Sequence, residues 1–152
     1  MERITFRELP KSMYQQLMTI EDLINESPLD FQLLELLRLR VAQINGCAYC
    51  VDMHHKELKS LGESDLRLSG LCVWKETPYF TERERVVLAF TEKLSTLNQS
   101  EISDDDFEQL LRFFDKTTIC WLSLAISQIN TWTQLTKTCK FEPGHYQVKV
   151  VQ

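Results

Sequence analysis

The sequence predicts an all-α protein, a single-domain bundle of about six to seven helices. Its 152 residues are the length of one domain with a sizeable core. Apolar residues recur at three- and four-residue spacing along most of the chain, which is typical of helices with one buried face. Gly and Pro number only four each, which argues against a turn-rich β fold.

The first half of the chain predicts three helices. Residues 1–10 carry no helical stripe and are expected to be extended, and a helix is predicted over about residues 12–25. Ser27 is the predicted N-cap of the next helix, which runs to about residue 44 and is ended by Asn45-Gly46. This second helix is apolar almost all round, so either its own domain or a neighbouring subunit must cover it.

The following segment is predicted as two helices and a connection. The third helix runs from near residue 46 to about residue 61, with Gly62 as the C′ residue that ends it. Ser64 caps a short helix. Residues 75–80 form a connection, because Pro78 disfavours a helix across this position.

The last three helices have recognisable starts. Thr81-x-x-Glu84 is a capping box, and Ser103 opens a helix with acidic residues in its first turn. Thr117 or Thr118 opens the last long helix, which ends near Thr136.

No linker or composition change divides residues 1–152, so they are interpreted as one domain with its core at about 20–140. The tail 141–152 contains Pro143-Gly144, followed by an alternating stretch, Tyr146–Val151, that is consistent with a short strand or an arm onto another subunit.

Composition excludes some classes of partner. The net charge is −5 and no large Lys/Arg cluster occurs, which argues against a nucleic acid or an anionic membrane surface. No apolar stretch approaches the roughly 20 residues of a membrane span, and the N-terminus lacks a hydrophobic signal core, so a cytoplasmic protein is expected. In that reducing compartment, a Cys-x-x-Cys among five cysteines indicates redox or metal chemistry rather than a structural disulfide.

The stretch from Glu35 to His54 carries the predicted site. Cys47, Cys50 and His54 are three and four residues apart, so on a helix that begins near Gly46 they share one face. Leu58 and Leu61 fall on the same face, which is therefore predicted to point inward.

These residue types suit thiol chemistry. A thiol at a helix N-terminus is stabilised as thiolate, the form that attacks peroxides and disulfides. A second thiol one turn away can then close a disulfide. Glu35 lies among apolar residues of the preceding helix, so we expect a raised pKa for its carboxyl group. The hypothesis is that Glu35, through His54 or a water, takes the proton from Cys50.

Other interpretations of these residues remain open. Cys47, Cys50, His54 and Glu35 are an acceptable ligand set for Zn²⁺, and two cysteines can also be small core residues. Glu35 could form a helix ion pair with Arg38. The remaining cysteines lack a second redox signature and are interpreted as structural or incidental; they are Cys72, Cys120 and Cys139.

The order Glu-x(11)-Cys-x-x-Cys-x-x-x-His resembles the alkylhydroperoxidase D-like branch of the carboxymuconolactone decarboxylase family. The resemblance covers about residues 20–140 and includes the helix at 81–90 and Ile129-Asn130-x-Trp132. It places Glu35, Cys47, Cys50 and His54 at the family's proton-relay and redox positions. Thr133-Gln134 departs from the Asn-Arg expected next, which puts any substrate contact there in doubt.

The resemblance implies a thiol-dependent peroxidase or disulfide reductase in antioxidant defence. Cys50 would attack and become a sulfenic acid, and Cys47 would resolve it to a disulfide. A dithiol donor, a lipoyl-bearing protein or a peroxiredoxin, would then reduce the pair, with Cys47 expected to be the more accessible sulfur. No haem, flavin or metal is required, and a homotrimer or a homohexamer is implied.

Two alternatives belong to different functional classes. One is decarboxylase chemistry on a lactone acid, which has no use for paired thiols. The other is a non-enzymatic helical subunit that binds zinc or senses redox state.

Overall fold

The computed structural model describes residues 2–148, which form an all-α fold without strands in that range. Seven α-helices are joined by short connections, and 3-10 helices occur at Phe6–Glu8 and Leu71–Glu76. The α-helices, in chain order, are α1 Lys11–Asn25, α2 Phe31–Ile44, α3 Ala48–Ser60, α4 Asp65–Gly70, α5 Glu82–Ser95, α6 Asp104–Leu111 and α7 Lys116–Cys139. The predicted fold class is confirmed.

Helix α2 is the centre of the bundle and packs on α3, α5 and α7. One of its faces carries Leu34 and Leu37 into the larger core, formed with α5, α6 and α7. The other face carries Leu36 and Leu39 into a second core against α3, α4 and α5. The all-round apolar character of α2 is therefore explained within the chain, and it does not by itself indicate a subunit interface.

A tight turn reverses the chain between α2 and α3 and sets the position of the cysteines. Gly46 adopts a φ of +58°, a left-handed conformation in which a side chain would be strained. The side-chain amide of Asn45 donates to Asn130 and Thr133 of α7, both at 2.8 Å. The turn is thus fixed to α7, and the first turn of α3 lies against the same helix.

Several predicted boundaries need correction. Asp30, not Ser27, is the N-cap of α2: its carboxylate accepts the Leu33 N–H at 3.0 Å, whereas the Ser27 hydroxyl accepts the Leu29 N–H within the preceding turn. Helix α7 begins before Thr117 because Asp115 caps it. The connection predicted at 75–80 starts two residues later than predicted, at Thr77, since the second 3-10 helix continues to residue 76.

The capping box at Thr81 and the cap at Ser103 are as predicted. Gly62 also follows the end of α3 as predicted, with a φ of +86°. Leu61, in contrast, lies in the C-cap of α3 and is 41 % exposed, so its predicted place on the inward face is wrong.

Residues near the two ends of the described chain meet beside α3. Phe6, in the first 3-10 helix rather than an extended segment, stacks on Phe141 with ring centroids 4.0 Å apart. The tail is held by Lys56, whose ammonium donates to the carbonyls of Gly144 and Tyr146 at 3.1 and 3.0 Å. Residues 145–148 form no strand; the rest of the alternating stretch, 149–151, lies outside the described residues.

Within residues 2–148, no helix combines the length and the apolar character that a membrane crossing requires.

Candidate redox site

Cys47 and Cys50 lie at the N-terminus of α3, where their sulfurs are at disulfide distance, 2.50 Å apart. Cys47 is the N-cap of the helix, and its sulfur accepts the backbone N–H of Cys50 at 3.3 Å. A sulfur in this position is close to the positive end of the helix dipole, which stabilises negative charge. The structure therefore brings the two sulfurs together at the helix start.

Thr136 of α7 is a further contact of both sulfurs. Its Oγ1 lies 3.0 Å from Sγ of Cys47 and 3.4 Å from Sγ of Cys50. The same hydroxyl donates to the backbone oxygen of Thr133 at 3.1 Å, and the side chain is buried. The site thus contains a hydroxyl that can donate to a thiolate.

His54 and Glu35 are joined as the sequence predicted. Nδ1 of His54 lies 2.7 Å from Oε2 of Glu35, and the two residues are only 3 % and 2 % exposed. His54 follows Cys50 by one helical turn. Its other ring nitrogen, Nε2, is buried and has no hydrogen-bond partner among the described residues. One nitrogen is thus held by the carboxylate, and the second is free to exchange a proton.

Arg38 extends this pair into a buried network. It donates to Oε1 of Glu35 at 2.7 Å and to Oδ1 of Asn25 at 2.8 Å, and it pairs with Glu21 of α1 at 2.5 Å. Trp132 of α7 donates its indole N–H to the other oxygen of Glu21 at 3.0 Å. The carboxylate of Glu35 therefore makes both contacts that the sequence left open, the ion pair with Arg38 and the hydrogen bond with His54.

The expected raised pKa of Glu35 is wrong. Burial is the strongest single influence and acts to raise the pKa, but the charge and hydrogen bonds of His54 and Arg38 together outweigh it. The pKa of Glu35 is therefore held below its ordinary value. Glu35 remains an ionised anchor for His54, and His54 is the group suited to move the proton.

A cavity of about 570 Å³ opens beside the cysteines. Cys50, His54, Glu35 and Thr136 line it, whereas Cys47 does not. Both cysteines are 2 % exposed. The expectation that Cys47 is the more accessible sulfur finds no support, because the two residues are equally buried and Cys50, not Cys47, is the one that lines the cavity.

The sequence did not identify Arg38, Thr136 and Glu21 as site residues. Arg38 had been considered only as a partner of Glu35, and no local signal marks the other two, because α1 and α7 reach the site through tertiary packing. Trp132 of α7 and Tyr49 of α3 also line the cavity.

No group of three or more His, Cys, Asp or Glu side chains in the described part of the chain is arranged to hold a metal ion. Among the other cysteines, Cys72 and Cys120 are exposed and Cys139 is buried beside Phe141.

Comparisons with known proteins agree with this geometry. The model of the carboxymuconolactone decarboxylase family matches residues 11–93. An uncharacterised Bacillus subtilis (strain 168) protein, YdfG, is 27 % identical over 135 residues, which is 89 % of this chain and 92 % of YdfG.

Two solved structures share the fold. A protein of unknown function from Agrobacterium tumefaciens, provisionally named an antioxidant defence protein AhpD, has a TM-score of 0.91 and 31 % identity, and the match covers 96 % of this chain and all of that one. An uncharacterised peroxidase-related protein from Silicibacter sp. TM1040 has a TM-score of 0.81 at 21 % identity, covering 90 % of this chain and 72 % of that one, and shows the fold alone.

The matched family model, the shared fold and the Glu35–Cys47–Cys50–His54 arrangement agree with one another. The chain therefore belongs to the carboxymuconolactone decarboxylase family and has the fold of its alkylhydroperoxidase D-like members.

Proposed function

We propose that the protein is a thiol-dependent peroxidase in which Cys50 reduces a hydroperoxide and a dithiol reduces the resulting disulfide. The observation that carries the proposal is that Cys50 lines the cavity together with His54, whose Nε2 has no hydrogen-bond partner within residues 2–148 and whose Nδ1 is held by Glu35. The provisional name of one structural relative, an antioxidant defence protein AhpD from Agrobacterium tumefaciens, supports the same class of reaction.

In the oxidative half-reaction, the thiolate of Cys50 attacks the terminal oxygen of ROOH. A sulfur–oxygen bond forms and the oxygen–oxygen bond breaks, so that Cys50 becomes a sulfenic acid and RO⁻ leaves. RO⁻ takes the proton that Nε2 of His54 received from the Cys50 thiol and departs as ROH. Ionised Glu35 stabilises the imidazolium while it carries that proton.

Cys47 then resolves the sulfenic acid. Its thiolate attacks the sulfur of Cys50, the disulfide forms, and the oxygen leaves with a proton as water. Cys47 caps α3 and Cys50 lies in its first turn, so the two residues that form the disulfide are adjacent on the same helix end.

In the reductive half-reaction, a dithiol attacks Sγ of Cys50, because Cys50 and not Cys47 is the cysteine that lines the cavity. Cys47 leaves as a thiolate, which accepts the N–H of Cys50 and faces the hydroxyl of Thr136. The second thiol of the donor then displaces Cys50 from the mixed disulfide. The proposed dithiol partner is a lipoyl-bearing protein or a peroxiredoxin. The proposed assembly of the protein is a homotrimer or a homohexamer.

The direct test is stopped-flow mixing of the reduced protein with hydroperoxides, followed by recycling with dihydrolipoamide. The proposal requires two thiols to disappear per equivalent of peroxide and to return with the dithiol. A reduced protein that loses no thiols, or that loses them only from Cys72 and Cys120, would contradict it. The double variant C72S/C120S separates these cases.

A further inference from the structure

The cavity lined by Cys50 is also lined by many aromatic side chains. Six aromatic side chains from six separate parts of the chain contribute to it: Phe6, Tyr14, Phe31, Tyr49, Trp132 and Tyr146. Three of them leave apolar surface in solvent, since Phe6 is 42 % exposed and Tyr14 and Phe31 are each 37 % exposed. A ligand with a flat apolar group would cover this surface.

The volume fits a small ring compound. About 570 Å³ is within the usual range of small-molecule sites and is larger than one substituted benzene ring needs. Met18 and Met53 also line the cavity, and their flexible thioethers can adapt to the outline of an aromatic ring.

The charged groups in the lining are mostly acidic. Four carboxyl groups line the cavity, from Glu21, Asp22, Glu35 and Glu57. Among the described lining residues, Arg38 is the only one with a permanent positive charge.

Arg38 is already engaged. Its guanidinium contacts Glu35, Asn25 and Glu21, so that both terminal nitrogens have partners. A ligand carboxylate would therefore face acidic groups in a partly desolvated place without a cation to compensate it. A neutral ligand avoids this cost.

The polar end of a neutral hydroperoxide has a matching environment. Cys50 lines the cavity and can receive the terminal oxygen on its sulfur. Nε2 of His54, which lacks a hydrogen-bond partner in the part of the chain that the structure describes, can exchange a proton with the departing oxygen. The apolar end is left to the aromatic side chains.

We propose that the cavity selects uncharged hydroperoxides with an aromatic group and rejects those with a carboxylate. This inference rests on the proposed peroxidase function and adds the class of substrate to it. It also separates the protein from chemistry on a lactone acid, whose substrate is an anion.

The test uses three compounds that differ only in the para substituent: cumene hydroperoxide, its para-carboxylate and the methyl ester of that acid. Only the carboxylate is charged. With reduced protein at pH 7, we expect kcat/KM for the carboxylate to be at least about tenfold below that for the ester. The ester and the parent compound should agree within about threefold. Equal rates for carboxylate and ester, or a faster carboxylate, would overturn the inference.

A binding experiment distinguishes failure of the inference from failure of the proposed function. The corresponding alcohols, 2-phenyl-2-propanol and its para-carboxylate and para-ester derivatives, are titrated against the Cys50→Ser variant by NMR. If no peroxide is reduced but the neutral alcohols still bind more tightly, the peroxidase function fails and the ligand class stands. If peroxides are reduced but the alcohols bind without regard to charge, the inference fails alone.

Variants identify the groups responsible. The double variant Asp22→Asn/Glu57→Gln neutralises two of the acidic groups. It should reduce the ratio of kcat/KM for the ester to kcat/KM for the carboxylate at least threefold. Glu108→Gln removes one charge from an exposed position of α6 that does not line the cavity, and it should leave the ratio unchanged. A ratio that moves equally in Glu108→Gln would show that net charge, not the cavity, sets the preference.

Discussion

The Oγ1 of Thr136 lies 3.0 Å from Sγ of Cys47, across 89 positions of sequence. In the disulfide form the sulfur is a weak acceptor, and the hydroxyl proton is used by the backbone oxygen of Thr133. When the pair is reduced, a thiolate becomes the stronger acceptor and can take that proton in a hydrogen bond. The contact therefore favours the thiolate form of the pair.

Replacing Thr136 by Val should weaken this preference, because Val keeps the shape and lacks the hydroxyl. We expect the thiolate pKa, measured by absorbance at 240 nm in the reduced C72S/C120S/C139S background, to rise by about one. Peroxide reduction at neutral pH should slow several-fold. Thr136→Ser should behave like the parent. Thr91→Val is the matched control, since Thr91 is a buried threonine of α5 whose hydroxyl has no partner in the described chain.

Single-turnover experiments should distinguish the roles of the two cysteines. Cys50→Ser removes the sulfur that lines the cavity, and we expect no reaction with peroxide above background. Cys47→Ser should still react once and accumulate a sulfenic acid on Cys50, detected by mass spectrometry after dimedone labelling. The reverse pattern, with labelling on Cys47, would assign the attack to the capping cysteine.

Glu35→Gln should remove the negative charge that stabilises the protonated form of His54. Gln occupies the same volume but cannot stabilise an imidazolium, so we expect the peroxide reaction to slow by about 100-fold. The measurement is the stopped-flow rate from pH 5 to 9. His54→Gln should have a comparable effect, and the double variant should lose little more than either single one if the pair acts as a unit. Additive losses would contradict a shared role.

Glu35 should also make stability depend on pH. The pKa of Glu35 in the folded protein lies below the ordinary value of 4.5. Its contribution to the free energy of unfolding is therefore fully present above pH 4.5 and is lost as the pH falls through the folded-state pKa. At pH 7 the Glu35→Gln variant should be less stable by about 2 kcal/mol, since Arg38 keeps Glu21 and Asn25 as partners. Urea unfolding at pH 7, 4 and 3 should show this difference shrinking with acid.

Asp106 offers a stability change remote from the sulfurs. Hydrogen bonds from Lys93 and Ser103 lower its pKa to about 2. Asp106→Asn should cost roughly 1 kcal/mol at neutral pH, because it weakens the capping box of α6 and the contact with Lys93. The difference should persist above pH 3.8 and disappear toward pH 2. Peroxide reduction should be unchanged, in contrast to Glu35→Gln.

The sequence predicted the helices well where apolar spacing and caps are local signals. The apolar second helix and the capping box at Thr81 are examples, and the shared face of Cys50 and His54 follows from helical periodicity. The errors at Ser27 and Leu61 arose at helix ends, where one turn separates a capping residue from a loop residue.

The remaining features depend on contacts between distant segments. Periodicity placed Arg38 on α2 but could not show that Glu21 of α1 contacts it. The buried guanidinium of Arg38 is one of the groups that lower the pKa of Glu35, so the direction of that shift could not be predicted either. Thr136 lies in a helix whose predicted end was close to it, and nothing local connects it to the cysteines. Likewise, spacing alone could not show which sulfur lines the cavity.

Cys47, Cys50 and His54 lie within residues 35–54, whereas Phe6, Tyr14 and Tyr146, which also line the cavity, come from other segments. The reactive residues and the residues that select the substrate thus lie in separate segments of the chain. A mutant library confined to those three aromatic positions would be the economical way to redirect the protein to new compounds while the reactive pair stays intact.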